Sequence, residues 1–274
     1  MKKLTALLLA LLMLCALCAC GQPAADDAAE PADEGQEVAS NVNIEILYEQ
    51  DDSMKNTYTL IAVNPDADFV DADGNAVNDV KLNTVGADAL INWLLSEEGL
   101  KLASEYGTED YGTNLFTLLD DAPSSDAEIP AATEETMNIR LSTTTSVNDS
   151  GLLASLLPVF EEEYGYKVEV FSAGTGKAIA NAQMGNADLI LVHAKAKETD
   201  FVDAGFARVI EGQAAERLSF MYNYFVLCGP ADDPAEIADE ETAADAFEDI
   251  AEAKAAGKTK VVLYGDSYIK FIIK

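Results

Sequence analysis

Cysteine, histidine and cationic side chains are the scarce residues of this sequence. Of four cysteines in 274 residues, Cys15, Cys18 and Cys20 crowd the N-terminus, so Cys228 alone remains for the body of the chain. That distribution argues against a disulfide framework and a cysteine metal site. The single histidine, His193, stands at the end of an apolar run and has no evident acidic partners, so it fits a structural residue better than a metal ligand. No G-x-S-x-G elbow occurs, Cys228 lies in the apolar stretch "YFVLCGP", and acids such as Glu161 and Glu163 fall on a solvated helix face. Neither an enzyme nor a cofactor is expected. Only 17 Lys and Arg stand against 49 Asp and Glu, a formal charge of −32, which argues against electrostatic binding of nucleic acid or anionic lipid. With 49% hydrophobic residues, the chain nevertheless has material for one large or two small domains.

The one long apolar run, Leu4 to Leu17, follows Lys2 and Lys3. It is too short to span a bilayer and suits a secretory signal. Its end, Leu17-Cys18-Ala19-Cys20-Gly21, resembles a bacterial lipobox in which the last cysteine is lipidated. Residues 1–20 are therefore expected to be a lipoprotein signal peptide, with Cys20 the anchor to the extracytoplasmic face of the cell membrane. Residues 21–42 carry six acids, no base and no aromatic, a composition that does not repay the entropy of ordering, and are expected to be a disordered tether.

A second acidic stretch, residues 119–137, is expected to be an internal linker. Before it, "NIEILYEQ" and "YTLIAVNP" have the β-branched content of strands, and "VGADALINWLLSEEGLKLASEYG" has helical spacing through Leu90, Ile91, Leu94, Leu95 and Leu102. Gly107 suits the end of that helix and Trp93 its buried face. After it, "NIRLST", "KVEVFSAG" and "ADLILVHA" alternate with helical segments, the pattern of βαβ units around a largely parallel sheet.

In such sheets ligands sit beyond the carboxyl ends of the strands, against helix N-termini. Thr143, Thr144, Thr145 and Ser146 fall on the first of these edges. Hydroxyls, unpaired backbone N–H groups and the positive end of a helix capped by Asp149 or Ser150 together suit a dehydrated anion with several oxygens. A run of Ser and Thr that merely makes turns and caps fits the loop equally well. The second edge, "SAGTGKA", adds Gly174 and Gly176 for a tight turn and Thr175 between them. It is not a Walker A loop, which needs glycine at Phe171 and Ser or Thr at Ala178.

These motifs carry a family resemblance. "LSTTTSVNDSGLLASLLPVFEEEYGYKVEVFSAGTGKAIANAQMGNADLILVHA", then "FVDAGFARV" and "MYNYFVLCGPADDPAEI", are similar to the first half of the tungstate-binding lipoproteins of bacterial ABC importers. Those are type II periplasmic-binding-protein folds. "LYEQDDSMKNTYTLIAVNP", "ALINWLLSEEGLKLASEYG" and "LFT" resemble the family's later segment, so the two pieces stand in permuted order. The resemblance implies that residues 43–118 complete a first lobe built by residues 138–229, with 230–274 a partial second lobe. It implies capture of a tetrahedral oxyanion, tungstate or molybdate, and delivery to an ABC permease with its ATPase. Tyr264 stands where the family has an arginine and Tyr224 where it usually has an aspartate. The alternative is a rearranged or decayed binding lobe that serves as a surface sensor or interaction module without tight ligand binding.

Overall fold

The computed structural model describes residues 44–258, 261–264 and 270–273. Cys20, the expected signal peptide and the expected tether lie outside them.

Apolar, β-branched segments assemble into a seven-stranded sheet. Its strands are β2 (Lys55–Val63), β3 (Thr117–Leu118), β4 (Asn138–Thr144), β5 (Lys167–Ala173), β6 (Leu189–Val192), β7 (Ala207–Arg208) and β8 (Leu218–Tyr224). The spatial order is β3-β8-β2-β6-β4-β5, with β7 also on β2. β5, β4 and β6 form a parallel block in which Thr143 registers with both Ser172 and Leu191. β2, from the chain segment preceding the acidic stretch, lies antiparallel between β6 and β8. All of β4 to β8 run one way and only β2 and β3 oppose them. The α/β class with a largely parallel sheet is thus observed.

Helices cover both faces, as a parallel block with apolar side chains on each side demands. They are α1 (Thr84–Leu94), α2 (Glu97–Glu105), α3 (Thr108–Tyr111), α4 (Thr145–Asp149), α5 (Leu152–Tyr164), α6 (Thr175–Gln183), α7 (Lys195–Asp203) and α8 (Ala243–Ala255). One core layer packs Leu90, Ile91, Trp93 and Leu94 of α1 and Leu153, Leu156 and Phe160 of α5 on Leu141, Leu189 and Leu191. The opposite layer packs Ala178 and Ile179 of α6 and Phe201 of α7 on Ile61, Val63, Ile190 and Val192. Each fully buried leucine or isoleucine contributes roughly 1.5–3 kcal/mol of transfer free energy, so these stripes fix which face each helix presents.

Two local expectations are corrected. The helix expected through residues 85–107 is broken into α1 and α2 at Ser96, whose hydroxyl accepts from Gly99 N and donates to Trp93 O. A capping serine competes for the backbone and stops one helix while starting the next. The helix expected from Asp149 instead begins at Thr145 and is interrupted at Gly151, which has φ +83°. A Cβ there would meet Tyr106 Oη at 2.5 Å, while that same hydroxyl donates to Ser150 O at 2.7 Å, so the corner requires glycine.

Residues 119–137 contain no helix or strand, yet they lie against the lobe. Ser125 N donates to Leu95 O, Ala132 N to Tyr164 O, and Tyr166 Oη to Pro130 O. A second, four-stranded sheet has the order β1-β9-β11-β10 from β1 (Ile44–Tyr48), β9 (Leu227–Pro230), β10 (Val261–Tyr264) and β11 (Lys270–Ile273). α8 packs in its small core with Met54, Leu227 and Ile237. The apolar run "YFVLCGP" is divided between β8 and β9 and crosses from one sheet to the other. β1 likewise pairs with β9 and not with the strands of the larger sheet.

Candidate functional site

The hydroxyl loop at the end of β4 is sorted by the structure into spent and directed groups. Ser142 Oγ donates to Ala178 O at 2.8 Å and ties β4 to α6. Thr143 Oγ1 donates to Leu191 O at 2.7 Å, so this candidate's hydroxyl proton is committed to the sheet. Thr144 occupies the N-cap position of α4 with no side-chain cap bond, and Thr145 is the first, half-buried residue of that helix. Thr144 Oγ1 lies 3.0 Å from Ser146 Oγ, which lies 2.9 Å from His193 Nε2. Thr144 and Ser146 are both buried.

Ser146 opens onto a cleft of about 530 Å³. Its walls come from Asp149 and Ser150 after the loop, Asn56 and Tyr58 on β2, Phe116 and Thr117 at β3, and Tyr222, Asn223 and Tyr224 on β8. Tyr58 Oη accepts from Asn56 Nδ2 at 2.9 Å and lies 3.3 Å from Asn223 Oδ1. The His193 ring sits 5.2 Å from the Tyr58 ring. Burial pushes the His193 pKa below its ordinary 6.5, against a smaller opposing pull from its own backbone.

The second loop leaves the sheet beside the first, because Thr144 registers with Ala173. Gly174 precedes α6, and its carbonyl takes the N–H groups of Lys177 and Ala178. The first helical amides, those of Thr175 and Gly176, have no partner within the helix. Thr175 is buried. A Cβ at Gly176 would lie 3.3 Å from Lys197 Nζ, so an ammonium from α7 stands over this turn. Ser172 Oγ, opposite Thr143, is buried and has no hydrogen-bond partner among the described residues.

His193, Lys197, Ser172 and the Asn56–Tyr58–Asn223 group are the neighbours that sequence reasoning missed. Position at a strand end was the available signal for His193 and Ser172, and Lys197 lies one turn into the next helix. Among the described residues, no group of three or more His, Cys, Asp or Glu could hold a metal ion, and no helix is long and apolar enough to cross a membrane.

This is an α/β lobe of the periplasmic-binding-protein kind, with two loops at adjacent strand ends and an open cleft beside them. The chain belongs to the PBP superfamily, whose domain matches residues 129–269. It is similar to a protein of Haloferax volcanii named as an anion-binding protein of an ABC transporter, at 48% identity over 44% of this chain and 33% of that one. It is also similar to the tungstate-binding protein TupA of Peptoclostridium acidaminophilum, at 46% identity over 38% of this chain and 34% of that one. The crystal structure of the tungstate ABC transporter from Geobacter sulfurreducens matches at 36% identity, over 48% of this chain and 62% of that chain, with a TM-score of 0.37. The chain spans about a third of the length of the curated relatives it matches.

Proposed function

We propose that this chain is the solute-binding component of an ABC importer and captures a tetrahedral oxyanion, tungstate foremost and molybdate next. It would deliver the anion to a permease energised by its ATPase. The observation that carries this reading is the bonded Thr144–Ser146–His193 cluster at a helix start, with Ser146 open to the cleft. Hydroxyls and helix amides are neutral donors, which suit a fully ionised, dehydrated oxyanion without a full set of counter-charges. The names of the relatives support the choice of ligand. On the same reading the protein is held at the extracytoplasmic face of the membrane through lipid on Cys20.

The test is the thermal shift caused by tungstate in the parent and in Ser146→Ala and Thr175→Val. Each lost charge-assisted hydrogen bond costs roughly 1.5–3 kcal/mol, about ten- to a hundredfold in affinity. The parent should be stabilised and both variants much less so. A parent shift that both variants retain in full removes these residues from the site.

A further inference from the structure

The Ser146 hydroxyl has one proton to give, and two of the groups around it compete over its direction. Thr144 Oγ1 stands on one side at 3.0 Å and His193 Nε2 on the other at 2.9 Å. If Nε2 is bare, it accepts the Ser146 proton, and Ser146 then shows only lone pairs toward the cleft, an arrangement that repels an anion. If Nε2 carries hydrogen, it donates to Ser146 Oγ, and the serine proton turns away from the ring. Only the second arrangement makes Ser146 a donor to an oxygen in the cleft.

We propose that His193 is the positioning residue of the oxyanion site: the proton on its Nε2 sets the direction of the Ser146 hydroxyl and thereby couples anion capture to the ionisation of one imidazole. This rests on the oxyanion reading above. The surroundings suit the role. Tyr58 on β2 packs its ring against the imidazole, and its own hydroxyl is engaged with Asn56 and Asn223. On α7, the carboxylate nearest in the chain is Glu198, which accepts from Ala194 N at 2.7 Å and is paired with Arg217. Asp149 and Glu49 lie along the cleft wall that Ser146 shares.

The sign follows from the burial of the ring. Burial holds His193 neutral at pH values where an exposed histidine would begin to protonate. The ring's other nitrogen, Nδ1, donates to the residue's own backbone, which leaves Nε2 bare in the neutral imidazole. An anion beside Ser146 therefore favours the imidazolium, which donates from Nε2 and adds a positive charge. Binding therefore takes up a proton, and affinity rises as pH falls below the ordinary histidine range and levels off above it. His193 is the only histidine in the chain, so no other imidazole contributes.

The experiment is calorimetric titration of tungstate into the full chain and into His193→Gln at about pH 5 and about pH 8, in buffers of different ionisation heat. Glutamine keeps a nitrogen donor that does not titrate. The parent should bind several-fold more tightly at the lower pH, with a buffer-dependent heat that reports proton uptake. His193→Gln should still bind, with that pH dependence and buffer dependence lost. Changes in the tungstate ion itself affect both proteins alike, so the difference between them isolates the imidazole. Ser146→Ala provides a second check, because removing the hydroxyl should also flatten the profile. A parent that binds with no pH dependence beyond that of His193→Gln overturns this inference and leaves the oxyanion reading standing. A parent that binds no oxyanion at either pH overturns the oxyanion reading and this inference with it.

Discussion

Lys197 shows how a single side chain alters the electrostatics of the loops. Its ammonium lies over Gly176 at the first turn of α6, where the helix dipole already favours negative charge. It is exposed, so its contribution is screened and worth about 0.2–1 kcal/mol. Lys197→Gln should weaken tungstate binding by up to about fivefold at low salt, with the difference fading as salt is raised. Titrations at two ionic strengths measure this, and a loss that salt leaves unchanged would point to a direct bond instead. At this scale the sequence made the loop visible but not its neighbours. Thr144, Ser146 and Thr175 stand where strand ends meet helix starts, a pattern readable from spacing. His193 meets Ser146 across 47 residues, and no local signal reports such a pairing. Thr143 shares the loop's composition, yet its hydroxyl bonds the carbonyl of Leu191, a partner known only once β4 and β6 are paired.

At the scale of elements, Asp188 holds the strand block in place from the edge opposite the loops. It is buried and accepts from Asn83 N at 2.9 Å, Arg140 N at 2.7 Å and the Arg140 guanidinium at 2.6 Å. One carboxylate thus joins the start of α1, the start of β4 and the entry to β6. Asp188 is fully buried but the Arg140 side chain is 32% exposed, so losing the carboxylate strands chiefly the backbone N–H groups it served, at a cost of about 1–3 kcal/mol. Asp188→Ala should lower the free energy of unfolding by that amount, read as a fall in the urea midpoint with little change in slope. A loss below about 1 kcal/mol would mean the pair is solvated as a surface bridge is. Element type was largely legible here because the apolar periodicity is strong: the strands at Ile139, Val168 and Leu189 and the helix carrying Trp93 formed as expected. Breaks were not. Ser96 followed by Glu97 and Glu98 is a readable helix start, but the continuous leucine spacing on either side conceals it. "YFVLCGP" hides a change of sheet for the same reason, since an apolar run does not record which sheet buries it.

For the whole molecule, the question is how a chain of net charge −32 would hold an anion at all. The distant charge is screened over about 8–10 Å at ordinary salt, so nearby donors decide the outcome. The donors at hand are two adjacent loop ends, Ser146 beside His193, and Lys197 over Gly176. A binding site made this way discriminates by the number and placement of donors, and a larger tetrahedral oxyanion can span donors that a smaller one cannot reach together. Calorimetric titration of the purified protein with tungstate, with phosphate and sulfate as comparisons, reads this donor set directly. Tungstate should bind saturably and one-to-one, more tightly than either comparison ion, with affinity weakened at least about tenfold by Ser146→Ala. No binding of tungstate at millimolar concentration by a parent that melts cooperatively would contradict it.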